Sequence, residues 1–455
     1  MNISTESINS LIAQNQFEAA IEQCLKLESE RGSSVALSTT LGDLCQQIGH
    51  PINAAYSYIK AYQLGYERSS FEKLLLSMRQ FSIDIIIQEN TVIQSVINIL
   101  QHEINNKNAN ANELLGLLLN IINFTRENTI DKNRTWFEVL LIPMLTMLAD
   151  TKQYHSLIVL ETMIYQIMVK QDEHESTFAY MMEKVTPIQN AAGKECAKAQ
   201  NLQPFNHSPN KRPRIGFFLH TSSVLAHVQV LFSFLRGWSQ LGKPDIEPVI
   251  YVLSGRRVEE MHVEFSQHGL DIVYLEQHTD TSNNVSNMLY LRQHVKTSNV
   301  SVMVWVSVGM LIPFAFGMRI APKQAWWTMK YHSIELDDID AYVSGSLRAA
   351  NPYVKEDWYE GFSSLNRPTA NINADEVQQI REQFPEGTLI LGTMAREELI
   401  NREVFLDMVC SILERHENTL FFWTGREKNE NITTYFTNRG LSNRHVFIGW
   451  VQVDF

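Results

Sequence analysis

The sequence predicts an α + α/β chain: an all-helical region over residues 1–200, a parallel α/β unit over 213–365, and the first part of a second, incomplete one over 385–455. Three observations predict it. Apolar residues recur at helical spacing through the first two hundred positions, in long runs with few glycines, which is the pattern of helices buried on one face. Pro204 to Pro213, PFNHSPNKRP, then breaks the pattern with a polar, proline-punctuated linker. Beyond it, short apolar runs alternate with amphipathic stretches, the order that a parallel sheet with helices on both faces requires.

Within the helical region two units repeat at an offset of 34 residues, so that Leu11, Ala20, Cys24 and Leu27 correspond to Cys45, Ala54, Tyr58 and Ala61. Leu41-Gly42, Ala54, Tyr58 and Ala61 stand where a tetratricopeptide repeat places its interlocking small and large residues, so the stretch resembles that repeat and paired antiparallel helices are expected. The likeness fades after Gly65. Thr91 to Glu103, Glu113 to Phe124, Trp136 to Leu148 and Ser156 to Val169 read as helices without the repeat, and Thr177 to Ala197 as helix packed on the first sheet. In the first α/β unit the strands are Arg214 to Leu219, Pro248 to Leu253, Asp271 to Tyr274, Ser301 to Val306, Ala325 to Met329 and Ile339 to Val343. The helices between them are Val224 to Leu241, Val258 to Gln267 and Asn287 to Thr297. The second unit begins near Thr388. Its strands are Leu389 to Gly392, Thr419 to Trp423 and Val446 to Ile448, separated by helices Arg402 to His416 and Asn431 to Arg439.

Composition narrows the function classes. A net charge of -12 without any block of cations argues against nucleic acid as a partner, because phosphate-backbone binding needs clustered Lys and Arg. Cys24, Cys45, Cys196 and Cys410 are far apart, with no CxxC or Cys/His cluster, which points to neither zinc nor disulfides and fits a reducing compartment. The N-terminus MNISTESINS has neither the basic start nor the apolar core of a secretory signal, and a cytoplasmic location is expected. Val300 to Met318 is free of charge, but Ser301, Ser307, Gly309, Pro313 and Gly317 interrupt it. It reads as a buried strand with its connection, not as a membrane span.

Candidate site residues collect just past strand ends. His220 closes the first strand of the α/β part and His227 lies seven residues on; open α/β sheets bind ligands at the carboxyl ends of their strands, where a histidine serves as base or phosphate contact. For His227 a helix histidine satisfied by a backbone or carboxylate partner is the competing reading. The loop Lys330-Tyr331-His332-Ser333 offers Lys330 to a diphosphate and His332 to an acceptor group or a sugar, or else is simply solvated. Gly392 to Glu398, which contains Thr393 and Arg396, and Trp423 to Glu427, which contains Arg426, follow strands of the second unit. There backbone N–H groups and an arginine fork can meet phosphate oxygens. Asp337, Asp338 and Asp340 invite a metal reading, but no metal is expected.

Arg319 to Gly345, RIAPKQAWWTMKYHSIELDDIDAYVSG, carries a more specific signal. Through Arg319, Ala321, Pro322, Gln324, Trp327, Ile339, Asp340 and Tyr342 it resembles the middle of the protein O-GlcNAc transferases and the bacterial cytoplasmic N-glucosyltransferases, which share an Arg-x-Ala-Pro-x-Gln block, a polar loop and an Ile-Asp-x-Tyr-like strand. The resemblance covers roughly 213 to 455. It implies a GT-B glycosyltransferase with two Rossmann-like domains, metal-independent, with no cofactor beyond a UDP-sugar as donor substrate and with a protein or peptide as acceptor. On this reading catalytic roles are expected for His220 and His332, donor contacts from Lys330, Thr393, Arg396 and Arg426, and acceptor-side roles for His227 and Gln324. Homo-oligomerisation stays open.

Two departures from that family matter. Where relatives present a lysine to the diphosphate, this chain has Leu399, ahead of Ile400 and Asn401. The family's second Rossmann unit also runs well beyond its third strand, so the reading frame is expected to continue after Phe455 with a strand, a Gly/Pro-rich turn and a helix bearing an acidic residue for the ribose. The competing reading is a non-catalytic helical-repeat scaffold with a degenerate or truncated transferase part. A glycan- or lipid-directed transferase of the cell envelope is a third.

Overall fold

The computed structural model describes residues 5–78, 80–81, 89–106, 137–169, 179–205, 212–221, 226–243, 245–254, 259–279, 283–306, 311–328, 336–344, 358–360, 374–393, 395, 400–425 and 428–449. The chain divides into two compact units, Met1–Leu365 and Asn366–Phe455.

The first unit opens with α1 (Thr5–Ala13), α2 (Phe17–Arg31), α3 (Val35–Gln47), α4 (Pro51–Gly65), α5 (Arg68–Met78) and α6 (Asn90–Asn105). Ala20 on α2 and Ala54 on α4 are wholly buried, so the 34-residue offset marks equivalent helices. Gly42 on α3 shows why a small residue is needed: a Cβ there would stand 2.4 Å from the Tyr58 ring on α4. Ser34 accepts from the Leu37 N–H and Pro51 stands in the first turn of α4, both standard helix starts. The expected helix over Glu113 to Phe124 lies outside the described residues. A π-turn at Phe137–Leu141 leads into α7 (Ile142–Asp150), followed by α8 (Tyr154–Val169); a second π-turn at Met181–Val185 leads into α9 (Thr186–Ala199).

The α/β part contains β1 (Arg214–Thr221), α10 (Ala226–Gln240), β2 (Glu247–Ser254), α11 (Glu259–Gln267), β3 (Asp271–Tyr274), α12 (Asn284–Thr297), β4 (Val300–Trp305), α13 (Ile312–Met318), β5 (Lys323–Thr328), β6 (Ala341–Ser344) and β7 (Trp358–Glu360). All seven strands are parallel, in the order β3-β2-β1-β4-β5-β6-β7. Alternation along β1 sorts its side chains onto two faces. Phe217 and Leu219 pack with α10 residues such as Leu231 and Leu235. Phe218 joins a core that runs without a break from Ile8 in α1 to Ile339 before β6. The helices are therefore continuous with one face of the sheet, and their apolar residues cover it.

The expected packing of Thr177 to Ala197 takes a particular form, in which α9 meets the short helix α13. A Cβ on Gly193 would stand 2.1 Å from the Phe314 carbonyl oxygen, and one on Gly317 would stand 2.2 Å from the Asn190 carbonyl oxygen. Two backbones touch there, and Asn190 Nδ2 donates to the Pro313 oxygen at 3.1 Å.

The second unit consists of α14 (Ala374–Arg381), β8 (Leu389–Thr393), α15 (Glu403–Arg415), β9 (Thr419–Trp423), α16 (Glu430–Asn438) and β10 (His445–Phe447), with a parallel sheet ordered β10-β9-β8. Leu406, Val409, Cys410 and Leu413 on α15 close over Phe421 and Trp423 of β9 and over Ile432 and Phe436 of α16.

Candidate active site

In the first sheet the chain steps outward from β1 through β2 to β3, then returns to lay β4 on the other side of β1. Connections on the two sides leave in opposite directions, so the carboxyl ends of β1 and β4 form the topological switch point, the usual ligand position of such sheets. His220 and Thr221 end β1, and Val306 follows β4, its N–H donating to the Phe218 carbonyl at 3.1 Å. His220 is half-buried, and burial holds its imidazole below the ordinary histidine value of 6.5. At neutral pH the ring is uncharged and able to take a proton. His227, in the first turn of α10, is also half-buried. The topology thus brings both histidines to the strand-to-helix passage that starts at this switch point.

Gln324 belongs elsewhere, and its acceptor-side assignment is corrected. It lies at the amino end of β5, the end of the sheet opposite the switch point, and is wholly buried. Its Oε1 accepts from the Ile320 N–H at 3.0 Å, while its Nε2 donates to the Phe316 and Asp338 carbonyls at 3.1 and 3.4 Å. The surrounding motif is a structural staple. Arg319, left-handed at the end of α13 with φ +54°, donates to the Asp338 and Pro322 carbonyls and pairs with Asp340 at 2.6 Å. Asp340 also takes the Gln324 N–H at 2.9 Å and Lys323 Nζ at 3.0 Å. Burial works to raise the Asp340 carboxyl, yet the Arg319 guanidinium, the Gln324 N–H and Lys323 together hold it below the usual carboxylate value. Asp338 pairs with Lys194 on α9, so both of these carboxylates already have cationic partners within the fold. The signal was present in the sequence: Pro322 and Lys323 open the strand, which puts Gln324 at its start, away from the ligand end.

In the second unit Thr393 closes β8 at the carboxyl edge of its sheet. Next to it is a brace that sequence reasoning missed. Thr424, nearly buried just past β9, has its Oγ1 accepting from the Ala395 N–H at 3.2 Å and donating to the Ala395 carbonyl at 3.3 Å. The Gly425 N–H donates to the Gly449 carbonyl at 3.2 Å, and Gly449 has a φ of +76°, which favours glycine. The loops after all three strands are thus tied across one edge by hydrogen bonds. Lys330, His332, Arg396, Leu399 and Arg426 lie outside the described residues. Among the described residues no group of three or more His, Cys, Asp or Glu side chains could hold a metal ion, and no helix is long and apolar enough to cross a membrane.

No protein-family model matches the chain, and no curated protein matches it. Among solved structures the chain is similar to an O-GlcNAc transferase mutant of Thermobaculum terrenum, with 14% identity and a TM-score of 0.45 over 98% of this chain and 73% of that one. It is also similar to Staphylococcus aureus TarM, solved with UDP, with 8% identity and a TM-score of 0.35 over 52% and 78% of the two chains. A third is Acinetobacter baumannii MurG, with 8% identity and a TM-score of 0.30 over 53% and 68%. None of these likenesses is strong enough to move a residue role onto this chain, so the reading of the site rests on its own strands and side chains.

Proposed function

We propose that the chain is a glycosyltransferase that moves a hexose or N-acetylhexosamine from a UDP-sugar to a side chain of a protein or peptide acceptor in the cytoplasm. The observation that carries the reading is His220: an imidazole kept neutral by burial, at the carboxyl end of β1, at the switch point of a parallel sheet. In the proposed step the acceptor oxygen attacks the anomeric carbon while its proton passes to the His220 ring. The bond from that carbon to the phosphate oxygen breaks, and UDP leaves with the electron pair. The chain contributes positioning and electrostatics. An acceptor amide nitrogen would be a poorer nucleophile than a Ser or Thr hydroxyl and would demand more of the same base. The stacked helices would recruit the acceptor, as repeat surfaces commonly bind extended peptide. Four buried free thiols suit a reducing compartment.

The test is UDP release by the protein at its natural length, with UDP-glucose and UDP-N-acetylglucosamine, in the presence and absence of a peptide library. Release that rises with peptide and falls in His220→Ala supports the proposal. Absence of release and of saturable UDP binding overturns it in favour of the scaffold reading, which draws on Leu399 in place of a lysine.

A further inference from the structure

A groove of about 400 Å³ lies in the helical region between α6, the π-turn at Phe137–Leu141 and α7, within the range of clefts that hold ligands, roughly 300–1,000 Å³. Its floor is apolar: Ile97 and Met147 are buried, Ile142 and Pro143 half-buried. Its rim is exposed and rich in acceptors. Glu138 and Asp150 bring carboxylates to it. Thr146 Oγ1 donates its hydrogen to the Ile142 carbonyl at 3.1 Å, so its lone pairs are what it has left to offer. Gln94 Nε2 is drawn along the helix to Asn98 Oδ1 at 3.1 Å, and the Gln94 oxygen remains as an acceptor. The three elements, NTVIQSVINILQHEIN, FEVLL and IPMLTMLAD, contain no lysine or arginine. Their other titratable groups, His102 and Glu103, are turned to α4, where both meet Tyr62. Asp150 is the last residue of α7, where the helix dipole disfavours a carboxylate. It has no ion-pair partner among the described residues, exposed Lys152 in the turn past α7 included.

We propose that this groove binds a lysine- or arginine-bearing segment of a partner protein, the methylene stem of that side chain lying on the apolar floor and its cationic head against the acceptor rim. The chemistry selects the occupant. An apolar floor beneath a rim rich in acceptors and empty of cations asks for a ligand that is apolar along its length and ends in donors, and among side chains that describes lysine and arginine. A phosphorylated or acidic segment, a nucleic acid or an anionic membrane would meet carboxylates where it needs cations. A second copy of this chain, at net charge -12 and without any block of cations, is a poor source of the head group and is repelled as a whole.

That the bound segment belongs to the protein to be glycosylated rests on the transferase reading; the binding itself does not. The probe is a fluorescein-labelled peptide of alternating arginine, leucine and serine, with twins in which every arginine is replaced by glutamine or by glutamate. Each is titrated against the full chain and read by anisotropy at low and high salt. The arginine peptide should bind about tenfold more tightly than either twin, and more weakly as salt rises. Asp150→Asn should weaken it about fivefold. That variant should melt no lower than the wild type, because it removes a charge that the helix end disfavours, so its lost binding is not lost folding. Glu22→Gln removes one charge from an exposed position on α2. It is the control for the negative charge of the whole chain and should bind as the wild type does. Equal affinity for the arginine and glutamine peptides overturns the proposal. So does equal weakening by Asp150→Asn and Glu22→Gln, which would assign the attraction to net charge alone. A wild type that sediments as a dimer and becomes a monomer in Asp150→Asn overturns it too, since a second copy would then fill the groove. Peptide binding that depends on Asp150 in a chain that releases no UDP refutes the transferase reading alone. UDP release that peptide stimulates, with peptide binding unchanged in Asp150→Asn, refutes the groove alone.

Discussion

Replacing Gly193 with alanine tests the contact on which the first unit turns. The added Cβ would meet the Phe314 carbonyl oxygen at 2.1 Å, the Phe314 carbonyl carbon at 3.0 Å and the Met318 nitrogen at 3.1 Å, where ordinary contact begins at 3.4 Å. The obstacle is backbone, which has no rotamer with which to move aside, so α9 and α13 must part by more than 1 Å. Overpacking of this kind costs about 1–3 kcal/mol. The separation also breaks the buried bond from Asn190 to Pro313, for another ~1–3 kcal/mol, while the better helix propensity of alanine returns about 1 kcal/mol. The expected loss is about 3 kcal/mol. Urea unfolding of the full chain, followed by fluorescence of the buried Trp305 and Trp326, reads it. Gly237→Ala is the control: it too lies inside a helix, α10, but a Cβ there would touch nothing within 4 Å, so this variant should gain ~0.5–1 kcal/mol. Equal stability of the two variants would show that the α9 and α13 backbones do not touch and would remove the argument for a shared core at that point.

The remaining predictions use the titrating groups and the staple. His220→Ala should lower transfer by about a hundredfold or more if the ring is the general base. Because burial lowers the imidazole, the acid limb of kcat/KM should fall below pH 6.5 in the wild type; an unchanged rate removes His220 from the mechanism. Glu161 on α8 is raised by burial above the ordinary carboxylate value, so its cost to stability is absent below about pH 4.5 and grows until pH reaches its folded value of about 8. Glu161→Gln should therefore melt above the wild type at pH 8, by about 3 kcal/mol after allowing for the extra amide donor, and near it at pH 5; equal melting at both is the contrary result. Cys24 and Cys196, raised by burial to about 11, should resist alkylation at pH 8 in the native chain and react once it is unfolded in urea. Asp340 is depressed by its net surroundings, so its contribution is present above the ordinary carboxylate value and lost as pH falls below it. Asp340→Asn should accordingly destabilise the first unit at pH 7 and leave UDP affinity unchanged, and a weakened affinity would return the motif to the site.

What the sequence made legible is what depends on local pattern. Strands such as Asp271–Tyr274 and Thr419–Trp423 fall where their apolar runs and flanking turns put them, since a buried parallel strand is a short apolar block bounded by polar residues. His220 was legible for the same reason, because knowing where β1 ends is enough to place it at the carboxyl edge. What stayed hidden depends on who meets whom across long chain distances. Gly193 and Gly317 are ordinary helical glycines until α9 and α13 are brought together, and Thr424 is an ordinary strand-end threonine until Ala395 lies beside it. Arg319, Gln324 and Asp340 show a different case. Their order resembles a family's signature, and their polar atoms hold α13, β5 and the approach to β6 together. A conspicuous motif on a sheet can therefore belong to the amino end, where it sets the register, as easily as to the carboxyl end, where it meets a ligand. Glu161 had a signal of its own, one acid in sixteen otherwise uncharged residues, and in a helix that apolar a lone carboxyl is either a mistake of pattern or a fixed point of the fold. The bond it accepts from Gln189 on α9 at 3.3 Å places it in the second class, a fixed point between two helices of the first unit.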